Sequence, residues 1–364
     1  MPTKQSSTNQ VHEPDFYAEQ SANEQSASAN EQNAKHFLSS SLALWLGIAF
    51  SAAFTGIIWI AGEHLRSMVT LLPDEGVSWY YWKLPVPTLW TRFVVWGMYF
   101  AHQIALWYLI YYAQSRPHTY TRGLHKVNIW ALAVNVGFIV LHFIQTHTTY
   151  DGLAQDVSIF SSQGSVIVLL VWVLLMENNR RGLFFGKGVG IAPNIMRAAR
   201  TYHGYFFAWA VVYTFWYHPM ENTNGHLIGF FYTFLLLLQS SLFFTRIHTN
   251  KWWTFAQEFI VLVHGTLVAL MQAGTDGFWP MFFFGFGGIF IITQMHGLGL
   301  SVLSRWGFTL AYLAGVIVVY ARRGWGHLNE VVRIPVIDYV AVFVLVGIVW
   351  VCLRVSAVMR RGRG

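Results

Sequence analysis

The stretch LSSSLALWLGIAFSAAFTGIIWIAG, residues 38–62, decides the fold class of this chain. It carries no charged side chain, and it exceeds the ~20 residues that a helix needs to cross the hydrocarbon of a bilayer. Nine further apolar stretches follow it, at 88–114, 127–149, 158–176, 203–219, 226–247, 252–273, 278–300, 306–321 and 336–357. The pattern predicts an all-α, polytopic integral membrane protein with about ten transmembrane helices.

The composition excludes an ordinary water-soluble domain. Of the 364 residues, 55% are hydrophobic and only 11% are charged, and the mean hydropathy is +0.42. Soluble domains carry about 25% charged residues, so this chain cannot cover a water-facing surface and must be solvated by lipid. The net charge of +7 comes from basic residues in short loops. Membrane lipids are therefore the predicted partners, and nucleic acid is not.

The basic residues also predict the orientation of the chain, because cytoplasmic loops of membrane proteins are rich in Lys and Arg. With the N-terminus inside, the basic residues on the outer side are Arg66, Lys83, Arg92, Arg322, Arg323 and Arg333, and all the others fall inside. Both termini are thus predicted to lie in the cytoplasm, with the protein in a bacterial cytoplasmic (inner) membrane. On this map Asp338 falls outside, and Glu258 is the one acid within an apolar segment.

The N-terminal tail differs from the rest of the chain. Residues 1–36 are rich in Ser, Asn, Gln, Ala and Glu, and the word SANEQ occurs twice, from Ser21 and from Ser28. Such a segment buries too little apolar surface to offset its ordering entropy. The sequence therefore predicts a disordered polar tail over 1–36 and a single polytopic membrane domain over 37–364.

Histidines are unusually frequent in the apolar segments, where polar side chains are costly and often functional. They lie within these segments or at their ends, at His102, His142, His203, His218, His226, His264 and His296, with His147 just outside. A single histidine of this kind is ordinarily an interhelical hydrogen-bonding residue. The number of them favours a shared site.

The densest group is predicted at the outer end of the helices, around the stretch WYHPMENTNGH at 216–226. Imidazole and carboxylate ligands suit transition metals, with iron as the first choice here. The predicted metal ligands are His142, His147, His218 and His226. The same groups could work as acid and base without a metal. The predicted catalytic carboxylates are Glu221, Asp151, Asp276 and, as a proton-relay acid, Glu258.

A b-type haem is the second cofactor prediction. His203 and His218 lie fifteen residues apart, which is ~22 Å along a helix and suits two haems stacked across a membrane. The outer partner would be His226, His142 or His264, and the inner partner His296 or His248. The predicted haem-binding residues are therefore His203, His218, His264 and His296.

Three functions follow from these features. The leading prediction is a membrane-embedded metal or haem enzyme, an oxidoreductase acting on a lipid, a quinone or another apolar substrate. The first alternative is a metal-free transferase that modifies acyl groups, lipids or glycans with the outer His, Asp and Glu side chains. The second alternative is a transporter or a structural subunit. Assembly into a homo-oligomer or a membrane complex is a further prediction. The chain carries no DDxxD pair and no histidine boxes of the desaturase type.

Overall fold

The computed structural model describes residues 38–70, 82–116 and 118–361. Each of the ten apolar stretches coincides with a helix. The helices are α1 (Ser40–Met68), α2 (Leu89–Gln114), α3 (Lys126–Thr148), α4 (Ile159–Met176), α5 (Pro193–Tyr217), α6 (Asn224–Ser241), α7 (Lys251–Ala273), α8 (Trp279–Ile292), α9 (Val302–Arg323) and α10 (Asn329–Arg361). A one-turn helix, Asn178–Arg181, follows α4, and a 3-10 turn, Gln294–Gly297, follows α8. The predicted polar tail lies outside the described residues.

Seven helices of the described chain are long and apolar enough to span a membrane: α1, α2, α3, α4, α7, α9 and α10 with the turn before it. This confirms a helical integral membrane protein. The remaining three helices are weaker candidates, since α8 has only 14 residues and α5 carries Arg197 and Arg200 in its first turns. The count of ten spans and the cytoplasmic position of the termini stay predictions.

Outward-facing side chains agree with a lipid environment. Leu89 is 91% exposed and Leu303 is 83% exposed, and Trp45, Ile60 and Trp306 are also largely exposed. Apolar surface on this scale is not tolerated in water by a monomeric soluble domain. Lipid contact therefore explains why the helices are apolar around most of their circumference.

Helix α5 occupies the centre of the bundle, where it packs against α2, α4, α6 and α10. Its last turn places Phe215, Trp216 and Tyr217 in the core with no exposed surface. These rings join a large hydrophobic cluster that includes Ile58 of α1 and Phe234 of α6. Because α5 ends within this packed cluster, the residues that follow it are held in defined positions.

Helix α10 begins earlier than the sequence predicts. The prediction starts this segment at residue 336, directly after Pro335, but the helix starts at Asn329 and contains Pro335 in its interior. Membrane helices tolerate an internal proline because neighbouring groups satisfy the freed backbone. Asp338 therefore lies well inside the helix, at 2% exposure, and its position on the outer side stays a prediction. Glu258 is accordingly not the only acid within the bundle.

Candidate functional site

Four of the predicted histidines converge at one end of the bundle, and we call His142, His218, His226 and His264 the histidine cluster. His142 lies on α3, His218 directly follows α5, His226 is in the first turn of α6 and His264 is on α7. The rings of His218 and His226 are 5.3 Å apart. His218 interacts electrostatically with the other three imidazoles. The outer grouping expected from the sequence is thus present, with His264 added to it.

Small and aromatic residues shape the space around the histidine cluster. The ring of Trp82 lies 5.0 Å from that of His218 and 4.7 Å from that of His226. Trp216 stacks on His142 at 4.3 Å. Gly229 of α6 lies against His264, where an added Cβ atom would be 3.4 Å from Nε2, an ordinary van der Waals contact. The imidazoles therefore lie in an apolar, aromatic enclosure.

Glu221 brings a carboxyl group to the same place. It lies in the turn between α5 and α6, it is 4% exposed, and its Oε1 atom bonds the Tyr150 hydroxyl. The same hydroxyl donates to the Trp82 carbonyl at 2.8 Å. Because a phenol has a single proton, it cannot serve both oxygens fully at once. This arrangement suits a proton that passes between Tyr150 and Glu221.

Local sequence explains why the turn between α5 and α6 is ordered. Thr223 is the N-cap of α6, and its hydroxyl accepts from the backbone of His226. Threonine is among the preferred residues at this position. The same hydroxyl bonds Nδ1 of His226 at 2.7 Å. On the other side of the turn, the Met220 amide donates to the Thr146 hydroxyl at 3.0 Å. These bonds fix the positions of Glu221 and His226.

Arg92 of α2 holds the loop that carries Tyr150. Its Nη1 atom lies 2.7 Å from Oδ1 of the buried Asp151 and 2.9 Å from the Gly152 carbonyl. The same guanidinium also bonds Asp156 through Nε at 2.9 Å. Burial raises the pKa of Asp151, against the lowering effect of Arg92. Asp151, a predicted catalytic acid, is therefore an anchor for the loop.

Gly152 permits a close approach that a larger residue would block. A Cβ atom there would lie 2.5 Å from the Tyr217 carbonyl oxygen. We expect Gly152→Ala to destabilise the protein by about 1–3 kcal/mol through overpacking. The thermal midpoint in detergent measures this effect. Gly137→Ala on α3 is the matched control, because nothing lies within 4 Å of its added Cβ, and it should be neutral or stabilising. Equal midpoints for the two variants would contradict the tight contact.

Two central histidines differ in how their nitrogens are used. His102 has both nitrogens occupied, by Asn135 at 2.9 Å and by the Trp216 indole at 3.2 Å. His142 is fully buried near the His218 carbonyl, yet neither of its nitrogens makes a hydrogen bond of normal geometry. Buried polar groups are nearly always bonded, so an open imidazole is a mark of function or of an unseen ligand. His218 is buried as well, and the other three imidazoles of the cluster interact with it.

The other predicted site residues lie elsewhere. Nδ1 of His147 bonds the Phe143 carbonyl at 2.8 Å, and its ring packs on Phe143. Asp276 is exposed in the turn between α7 and α8, where its carbonyl accepts from Arg323. His296 bonds the Ile291 carbonyl at 3.2 Å. None of these contacts joins the histidine cluster.

His203 lies at the other end of α5, where its ring is 6.4 Å from that of His248. The sequence predicts His248 as a possible inner haem ligand with His203, and His226 as a possible outer haem ligand with His218. In the structure the two rings of each pair lie close together. Trp82 packs against both members of the outer pair. Within the described residues, no group of three or more His, Cys, Asp or Glu side chains is arranged to hold a metal ion. The metal and haem assignments stay predictions.

His248 makes stability depend on pH. Burial and the nearby His203 lower its pKa from 6.5 to about 4. Because the folded pKa is depressed, the unfolded chain binds a proton below pH 6.5 that the folded chain does not. Stability should therefore fall by about 2 kcal/mol from this residue as the pH drops from 7.5 to 5. Thermal midpoints across this range should fall less for His248→Gln than for the wild type or the exposed control His64→Gln. A parallel decline in all three would contradict the assignment.

Comparison with protein-family models, curated proteins and solved structures finds no match for this chain. Its chemistry is therefore inferred from side-chain geometry.

Several residues of the site carry no recognisable signal in the sequence. Tyr150 and Trp82 contact Glu221 and the imidazoles, but the sequence places Trp82 only in an aromatic run at the membrane interface. The sequence identifies Arg92 only as a basic residue on the outer side of the membrane. The adjacency of Tyr150 to Asp151 is the one hint that could have identified it. The rest of that aromatic run, residues 79–81, lies outside the described residues.

Proposed function

We propose that this chain is a membrane-embedded transferase that uses Glu221, Tyr150 and the histidine cluster for acid–base catalysis on a lipid-like substrate. One observation carries the proposal, namely the buried carboxyl of Glu221 bonded to Tyr150 beside the imidazole of His226. This is the metal-free alternative among the functions that the sequence suggests. General acid–base catalysis by such groups contributes about 10²–10⁴-fold to rate.

A group-transfer reaction needs two proton transfers. The imidazoles suit the first of them, and the Glu221–Tyr150 pair suits the second. A neutral imidazole takes the proton of an acceptor hydroxyl as the hydroxyl oxygen bonds to the transferred group. The bond to the leaving group then breaks, and the leaving oxygen receives a proton from the Glu221–Tyr150 pair. His218 suits the role of base because its ring lies beside that of His226, which in turn interacts with Glu221. No net oxidation or reduction occurs.

The surroundings favour an apolar substrate. The histidine cluster lies between membrane helices, and Trp82, Trp216 and Phe230 line it. Such walls offer dispersion contacts to acyl or isoprenoid chains and few hydrogen bonds to a polar metabolite. A lipid-linked donor could reach this end of the bundle from the bilayer without entering water.

One observation favours the metal-dependent oxidoreductase instead. The two open nitrogens of the fully buried His142 could bind a metal ion or a small ligand. In that case His218 and His226 would be further ligands of the same metal ion, as the sequence predicts. The metal content of the purified protein separates the two proposals.

Comparative mass spectrometry of membrane lipids tests the transferase. Lipid extracts are compared from bacterial cells that express the wild type, Glu221→Gln or Glu63→Gln at equal levels in the membrane. Glu63 is the matched control, since it is an exposed glutamate on α1. We expect a lipid species that accumulates with the wild type and the control and falls about 100-fold or more with Glu221→Gln. Identical profiles for the wild type and Glu221→Gln would contradict the proposal.

A further inference from the structure

A second polar site lies away from the histidine cluster, between α4, α7, α8 and α10. Arg181, Glu258, Gln294 and Asp338 surround a small cavity whose other walls are apolar side chains of these helices. The cavity measures about 20 Å³, which is enough for one water molecule. Polar groups gathered within membrane helices commonly mark ion or proton pathways.

Three of the four polar residues already have partners. Arg181 and Glu258 form an ion pair at 2.9 Å, with side chains 3% and 10% exposed. Gln294 donates to Oε2 of Glu258 at 2.8 Å, and Nη1 of Arg181 lies 2.9 Å from both oxygens of that carboxyl. Asp338 lines the same cavity at 2% exposure, and no described residue makes a hydrogen bond or an ion pair with its carboxyl. It is thus a buried acid whose only open side faces the cavity.

Counting charges indicates the state of Asp338. The Arg181–Glu258 pair is neutral as a unit, so an ionised Asp338 would leave one uncompensated negative charge in an apolar site. Burying an ion without a partner costs several kcal/mol, and an acid in this position avoids the cost by keeping its proton. A metal cation would meet the guanidinium of Arg181 across the same small cavity. A proton neutralises the site without that repulsion.

The other titratable groups around the cavity leave this balance unchanged. Glu177 interacts with Arg181 from the start of the one-turn helix. Tyr339 follows Asp338 on α10 and donates to the Leu183 carbonyl. On α6, Tyr232 interacts with Glu258. The part of α8 that lines the cavity presents Phe286, Ile289 and Phe290 and no titratable group.

We propose that Asp338 is a proton-binding site that exchanges its proton with water through the cavity beside the Arg181–Glu258 pair. The proton leaves the carboxyl oxygen as hydronium, and the carboxylate that remains lines the same cavity as Arg181. The ligand is a proton. The site shares only α7 with the histidine cluster, where His264 lies six residues beyond Glu258, and it uses none of the imidazoles.

Infrared spectroscopy of the wild-type protein in lipid vesicles tests this site directly. Aspartate labelled with ¹³C at the carboxyl group separates the aspartic acid carbonyl band from that of Glu258. At pH 7 we expect an aspartic acid band that disappears in Asp338→Asn and persists in Asp276→Asn, the exposed control. The band should also shift when H₂O is replaced by D₂O. Absence of a band specific to Asp338 would overturn the protonated state, and a band that ignores D₂O would overturn exchange through the cavity.

A stability measurement keeps the test decisive if a variant folds poorly. Asn resembles the protonated acid in shape and charge, so Asp338→Asn should keep a thermal midpoint close to that of the wild type. A collapse of the midpoint would show that an ionised Asp338 is needed, which contradicts the proposal.

Discussion

Replacing Glu258 with leucine should lower the free energy of unfolding by about 3 kcal/mol, because Arg181 would remain charged without its counter-charge. Because arginine does not lose its proton in proteins, Arg181 would stay charged in the variant and would keep destabilising the folded state. Removing one partner of a buried ion pair generally lowers the free energy of unfolding by about 3–5 kcal/mol. We expect the lower end because Asp338, which lines the same cavity, can give up its proton and act as a partial counter-charge.

The double variant Arg181→Met with Glu258→Leu should be less destabilised than Glu258→Leu alone. Apolar residues of similar volume often replace a buried ion pair at no cost. Denaturation in detergent measures all three variants. Glu177→Gln is the control, since it breaks the more exposed Glu177–Arg180 pair and should cost less than about 1 kcal/mol. A double variant as unstable as the sum of the two singles would contradict a buried, coupled pair.

Replacing Arg92 with methionine should have a similar cost, about 3–5 kcal/mol, and should also remove the lipid product. The change leaves the buried Asp151 without its ion-pair partner and frees the Gly152 carbonyl. The loop that carries Tyr150 would then lose its anchor to α2. Lysine keeps the charge but not the planar fork of donors, so Arg92→Lys should fall between the wild type and Arg92→Met.

Thermal midpoints and the lipid extracts together check the Arg92 prediction. The control is Arg333→Met, a basic residue on α10 that lies on the outer side of the predicted map. Full stability and full product with Arg92→Met would show that the loop needs no anchor. Loss of stability with normal product would show that Tyr150 is not part of the catalytic machinery.

The helices could be predicted from the sequence because their physical cause is local. Most of the apolar stretches are near the ~20 residues that span lipid, and each of them overlaps a helix. The convergence of His142, His218 and His226 was also predictable, since all three lie toward the same end of their segments. The error at α10 has a local cause as well. Pro335 looks like a helix start in the sequence, whereas the packing of Gly288 against it supports an internal proline.

The rest of the site depends on packing that periodicity does not encode. Apolar residues surround most of these helices, so the sequence does not show which face meets which neighbour. The partnership of Tyr150 with Glu221 and that of Arg181 with Glu258 join residues distant in the chain. The position of His147 away from the histidine cluster was foreseeable. Residues five apart on a helix differ by about 140° in direction, which already separates His147 from His142.

If the histidine cluster acts through its own imidazoles and the Glu221–Tyr150 pair, the protein needs no metal ion for its chemistry. Metal content and the optical spectrum of the detergent-purified wild type, prepared without chelators, provide the test. We expect less than stoichiometric transition metal and no haem Soret band. One metal ion or haem per chain, lost in His218→Gln and His226→Gln but kept in His64→Gln, would contradict it and establish the metal-dependent enzyme instead.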